Sequence, residues 1–187
     1  MISSAVGSIV DELNEFIKTR FRLDEDRVIL SNLVNADGSS AIKEDNKIVV
    51  SIVNIQEERL ATPQGHGAIS IGSKQPIYLN LFLLFSTHFN EKLNQESLRF
   101  ISAVIGFFQS RRVFTPGDTP SLDASIEKLV MEIYNLDFKD QSSIYSTLGA
   151  KYTPSIIYKM RMVAIDEGLM DYSAGLITER DANSSLE

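Results

Sequence analysis

The sequence predicts an α+β fold: a single domain with a mixed or antiparallel sheet of about five strands, packed with about three helices. Three observations predict it. Helical and strand periodicities follow one another in the order α-β-β-β-α-β-α-β, which is not the strict alternation of a parallel α/β protein. A long apolar strand, Ile77 to Phe85, is followed closely by an apolar helix, Leu98 to Phe108, and segments this apolar belong at the centre of a fold. The 187 residues, 43% hydrophobic and 23% charged, suffice for one domain with a sizeable core, and no repeat or internal boundary divides them. The domain is assigned to 1–165 and a C-terminal tail to 166–187.

The first helix spans Ser3 to Phe21. Val6, Ile9, Val10, Leu13, Phe16 and Ile17 recur at helical spacing with Asp11, Glu12, Glu15 and Lys18 between them. The acidic run Asp24-Glu25-Asp26 ends it. A short strand follows over Arg27 to Leu33, and Asn35-Ala36-Asp37-Gly38 supplies turn chemistry, with Gly38 free to take positive φ. Lys47 to Glu58 alternates Val49, Val53 and Ile55 against Ile48, Val50 and Ile52, so both faces are largely apolar, which predicts a central strand. Arg59 to Gln75 is a long Gly-, Ser-, Gln- and Thr-containing loop, with only Ile69 and Ile71 to anchor it; loops of this length are usually functional or disordered.

In the next strand Ile77, Leu79, Leu81, Leu83 and Phe85 share one face, while Tyr78, Asn80, Phe82 and Leu84 make the other largely apolar. A helix beginning at Asn94 or Gln95 presents Leu98, Ile101, Val104, Ile105 and Phe108, widened by Phe100 and Phe107. Thr115 to Asp123 is a turn-rich loop with two prolines. Ile126 to Leu136 is a strand, Asp137 to Leu148 a short helix closed by Gly149, and Pro154 to Ile165 the last strand.

Composition excludes several chemistries. The net charge of −7 disfavours non-specific nucleic-acid binding, because phosphates repel an acidic surface. The absence of cysteine removes disulfides, thiolate metal sites and thiol nucleophiles. The longest apolar run, Leu81 to Phe85, is far short of the roughly 20 residues of a membrane helix, and Asp11, Glu12 and Glu15 are wrong for a signal peptide, so synthesis in the cytoplasm and no membrane insertion are expected. His66 and His88 have no neighbouring ligand set, Gly65-His66-Gly67 leads into a strand rather than a helix, and no serine has nucleophile-elbow context. Asp118, Asp123, Glu127 and Glu132 are explained by turns and solvated strand faces, and the phenylalanines by the core. No catalytic residue, cofactor or metal is therefore expected.

Partner-binding candidates remain. They are Gln64, His66, Ile69 and Ile71 in the long loop, Lys159 and Arg161 on the last strand, and Leu169, Met170, Tyr172, Leu176 and Ile177 in the tail. For Lys159 and Arg161 the simpler expectation is an ion-paired face opposite Glu127 or Glu132.

An ordered set of segments carries a family resemblance: Asn32 to Gly38, Val53 to Arg59, Pro76 to Phe82, Phe107 to Ser110 with Val113 to Pro116, Leu129 to Leu136, and Leu148 to Pro154. Over residues 5 to 168 the chain resembles the tail-terminator (cap) proteins of phage-tail-like contractile injection systems. The resemblance implies a homohexameric ring that ends inner-tube and sheath growth at the end distal to the baseplate and holds the last sheath layer. It implies the inner-tube and sheath proteins as partners, without assigning individual contact residues; for Lys159 and Arg161 an intersubunit salt bridge in such a ring is the alternative to the ion-paired face. The tail is short beside the C-terminal extension of some relatives. Two alternatives stand beside this expectation: a tube-associated adaptor or baseplate part of the same particle, and a small cytosolic enzyme or ligand-binding module, which requires a concave pocket with convergent polar groups.

Overall fold

A computed structural model describes residues 1–58, 77–90 and 93–164. The elements are α1 (Ile2–Phe21), β1 (Val28–Leu30), β2 (Lys47–Glu57), β3 (Ile77–His88), α2 (Asn94–Ser110), β4 (Val113–Phe114), β5 (Ile126–Ile133), α3 (Phe138–Leu148) and β6 (Ser155–Ala164). All six strands form one sheet in the order β1-β2-β3-β6-β5-β4. Only β1 and β2 are parallel; every other pair is antiparallel, which makes the sheet mixed. The α+β class is as expected, with six strands where about five were anticipated. The additional one, β4, is two residues long and too short to show a period.

The helices α1 and α2 cover one face of the sheet. Val6, Ile9, Leu13 and Ile17 of α1 and Phe100, Val104, Phe107 and Phe108 of α2 meet Leu81, Leu83 and Phe85 of β3 and Tyr158, Met160 and Met162 of β6. Each fully buried side chain of this size contributes about 1.5–3 kcal/mol, so this layer dominates the stability of the fold. The helix α1 ends where Arg22 takes the left-handed conformation (φ 56°) and its N–H donates to the Lys18 carbonyl.

The periodicity of α2 points to Leu98, yet Leu98 is 51% exposed. The buried stripe is turned toward α1, because Phe100 stacks on Phe21 (4.5 Å between ring centroids) and Phe107 meets Phe16 (5.1 Å). Two bulges adjust the strands. One between Ile126 and Lys128 allows Ile126 and Leu129, three positions apart, to enter the same core. The other, between Ile52 and Asn54, divides β2. Before it β2 is buried and flanked by β1; beyond it no strand among the described residues lies outside β2, so Ile52 and Ile55 are exposed. The expected central strand is central over its first half only. β1 is shorter than the expected Arg27–Leu33, and β5 ends at Ile133, where the chain departs toward α3.

The opposite face carries a smaller core. Phe82, Leu84 and Ile157 pack with Ile144 and Leu148 of α3, and with Leu33, Val53 and Leu136. Both ends of α3 follow the sequence: Asp137 accepts from the Asp140 N–H (2.7 Å), and Gly149 closes the helix at φ 65°.

Candidate functional site

The helix-free part of the second face is where Lys159 and Arg161 stand. Their alternation with Tyr158, Met160 and Met162 places them opposite the main core. Cross-strand register assembles their surroundings. Asn54, Phe82, Lys159 and Glu132 form one row across the sheet, and Gln56, Asn80, Arg161, Val130 and Val113 form another.

Lys159 Nζ lies 3.1 Å from Glu132 Oε2, one of the two partners anticipated from the sequence. Arg161 instead makes a two-pronged contact with Glu58, its Nε donating to Oε2 (3.0 Å) and its Nη2 to Oε1 (2.9 Å). These hydrogen bonds to Glu58 hold Arg161 above its ordinary pKa; the charges of Glu58 and Glu132 add to the effect and burial opposes it. Beside the pair, Asn80 Oδ1 is buried without a hydrogen-bond partner among the described residues. Charges matched in this way hold the side chains in a fixed geometry.

A groove of about 480 Å³ runs between α3 and the sheet, lined among others by Leu84, Tyr134, Phe138, Ile144 and Ile157. Two of its polar side chains are engaged with each other and the backbone: Tyr145 Oη donates to the Thr153 carbonyl (3.0 Å) and sits 2.8 Å from Ser155 Oγ. Phe138 at its rim is 91% exposed.

The other polar residues singled out from the sequence have structural partners. Asp118 accepts from the Thr115 N–H, which leads the causes that hold its carboxyl below the usual range. Asp123 accepts from the N–H and hydroxyl of Ser125, to the same effect. Phe82 belongs to the smaller core, while Phe85, Phe100, Phe107, Phe108 and Phe114 belong to the larger one. His88 Nε2 lies 3.7 Å from Asp45. Among the described residues no group of three or more histidines and carboxylates is arranged to hold a metal ion, and no helix is long and apolar enough to cross a membrane.

Gln64, His66, Ile69 and Ile71, and Leu169, Met170, Tyr172, Leu176 and Ile177, lie outside the described residues. Two groups of exposed apolar residues went unanticipated: Leu30, Ile52 and Ile55 along the β1/β2 edge, and Val113, Ile133, Tyr134 and Phe138 at the β4/β5 edge and its continuation. The polar ending Gln56-Glu57-Glu58 after a hydrophobic start was the available signal that β2 runs out of neighbours.

The family model described as the Pvc16 N-terminal domain matches residues 7–179. Among solved structures, the chain is similar to one titled "Cryo-EM Structure of an Extracellular Contractile Injection System, PVC sheath/tube terminator in extended state", with 14% sequence identity and a TM-score of 0.50. The match covers 95% of this chain and 64% of that one, and at this identity it establishes a shared fold. No curated protein sequence matches the chain.

Proposed function

We propose that this chain, which belongs to the Pvc16 N-terminal domain family, is a structural terminator of a contractile injection particle. The observation that carries the proposal is the fold that nearly the whole chain shares with a sheath/tube terminator. Six copies form a closed ring by head-to-tail contacts at the end of the particle away from the baseplate. One ring face matches the exposed end of the inner tube and sheath and completes its unpaired surface. The opposite face offers nothing on which a further layer can build. The segment 166–187 adds a strand to a sheath subunit, so that backbone hydrogen bonds hold the last layer in register. The paired charges around Lys159 and Arg161 suit this work, because they keep a contact face rigid at little net charge.

The test is localisation. A short epitope tag on this chain, imaged by gold labelling on intact particles, is expected at the end opposite the baseplate. Label at the baseplate or along the shaft would contradict the proposal.

A further inference from the structure

Because α2 leans on α1 through Phe100 and Phe107, its other side stands over β5 and β6 with no further helix beside it among the described residues. A cleft of about 390 Å³ opens there, within the size range of small ligand sites. Ile105, Phe108 and Gln109 line it from α2, where spacings of three and four put them on one side of the helix. Met131 and Ile133 line it from β5 and Tyr158 from β6; Ile133 is paired with Tyr158 and Met131 with Met160, so all three face the same way. Arg112 closes the cleft from the junction of α2 and β4, where its carbonyl accepts from the Met131 N–H.

Three polar side chains thus converge between apolar walls. Gln109, Arg112 and Tyr158 all carry donors, and no residue lining the cleft is acidic. Arg111 is tied to Glu12 and Asp118, whereas no carboxylate among the described residues pairs with Arg112, which is exposed. Tyr158 is 2% exposed, with its ring packed against Phe85 and Phe108, and no group among the described residues hydrogen-bonds its hydroxyl. Phenylalanine would fill the same space without stranding a hydroxyl, and buried polar groups are ordinarily paired. Burial pushes the Tyr158 phenol up to about 12 and the Arg112 charge pulls it down, so the phenol keeps its proton at neutral pH and the guanidinium lies within electrostatic reach of it. The cleft that Tyr158 lines is where a partner for that hydroxyl has room.

We infer that this cleft binds a carboxylate carried on an apolar stem, with Arg112, Gln109 and Tyr158 taking the carboxylate and Ile105, Phe108, Met131 and Ile133 the stem. Arg112 supplies one positive charge for one negative, and a guanidinium meets a carboxylate through two parallel hydrogen bonds. Inorganic phosphate fits poorly, because it brings no apolar part to cover the walls and leaves its remaining oxygens against them. The carboxylate has two sources, a free organic acid or an acidic side chain of another polypeptide. The inference goes beyond the terminator role and does not depend on it.

The probe is phenylpropionate, titrated into the isotopically labelled chain and followed by NMR at the Gln109 side-chain amide and the Tyr158 ring. Phenylpropionamide, which has the same shape without the charge, is expected to bind at least about tenfold more weakly, the worth of a charge-assisted hydrogen bond. Arg112→Gln is expected to lose a similar factor, and Tyr158→Phe about threefold or more. A thermal melt at neutral pH matching the parent verifies that both variants fold. No binding of phenylpropionate, equal binding of acid and amide, displacement by an equal concentration of phosphate, or variants that bind like the parent would each overturn the inference. A photo-crosslinking residue placed at Gln109 and irradiated in cells separates the sources. A cross-link to an acidic segment of another polypeptide identifies a side chain as the occupant, and an organic acid released from the purified parent chain identifies a free ligand. A cross-linked segment without a carboxylate, or neither result, counts against the inference. Gold label at the distal end is a separate reading, so the terminator role stands or falls without this site.

Discussion

Asn14 gives the most incisive test of how this fold is held together. It sits on the apolar face of α1, is 5% exposed, and serves as the outer neighbour of β1. Its Nδ2 donates to the Val28 carbonyl (2.9 Å), while Oδ1 accepts from the N–H groups of Val28 (2.8 Å) and Arg27 (3.0 Å). In Asn14→Ala three backbone groups lose their partner at the point where α1 meets the sheet edge. A buried polar group left unpaired costs about 1–3 kcal/mol, and water reaching this edge recovers part of it, so the expected loss is about 3 kcal/mol in total. For a domain of this size that corresponds to a fall of roughly 6–12 °C in melting temperature. Urea unfolding measures it directly: the midpoint falls with an unchanged slope, because α1 and β1 still bury nearly the same surface. Asn14→Asp retains the acceptor and loses the donor, and it sets a buried carboxylate against the Val28 carbonyl, so it should be no more stable than the alanine variant. A loss under about 0.5 kcal/mol in Asn14→Ala, the usual range for surface positions, would refute the assignment of β1 to this amide clamp.

Two further predictions concern other parts of the fold. Arg161→Ala and Glu58→Gln, combined in a double-mutant cycle, should show a coupling of about 1 kcal/mol after allowance for solvent screening of a partly exposed pair; a coupling indistinguishable from zero would show that the two-pronged geometry adds nothing. Desolvation pushes the Tyr158 phenol up to about 12, with Arg112 pulling the other way. Since its folded pKa is raised, this group's contribution is complete below the unfolded value near 10 and is lost as pH rises from 10 toward 12. Stability should fall across that window by up to about 2–3 kcal/mol more than in Tyr158→Phe, measured as the difference between their urea-unfolding curves at each pH.

Much of the fold was legible because its signals are local. The 3.6-residue spacing from Val6 to Ile17 located the buried face of α1, alternation from Leu79 to Phe85 located both faces of β3, and Asp137 and Gly149 marked the ends of α3. The departures arise where distant segments decide. The stripe of α2 turned away from Leu98 because α1, far back in the chain, supplies Phe16 and Phe21. β2 lost its central status halfway along because β1 is three residues long, and only pairing reveals which residues have a neighbour. On the candidate face, Lys159 and Glu132 were legible as a pair on adjacent strands, whereas Arg161 found Glu58 across 103 positions of sequence. Asn14, a lone amide between Leu13 and Phe16, did leave a trace: a polar residue on an apolar helical face is a signal that it has a buried partner. The family was legible for another reason, since its ordered turn and core segments identify a fold even where they hold no chemistry.

The terminator role is tested most directly by the length of the particles themselves. Electron micrographs of particles from cells lacking this gene should show overlong, bare or unstable tubes without distal caps, and the intact gene supplied in trans should restore the normal length. Particles of normal length with intact caps in its absence would contradict the terminator role.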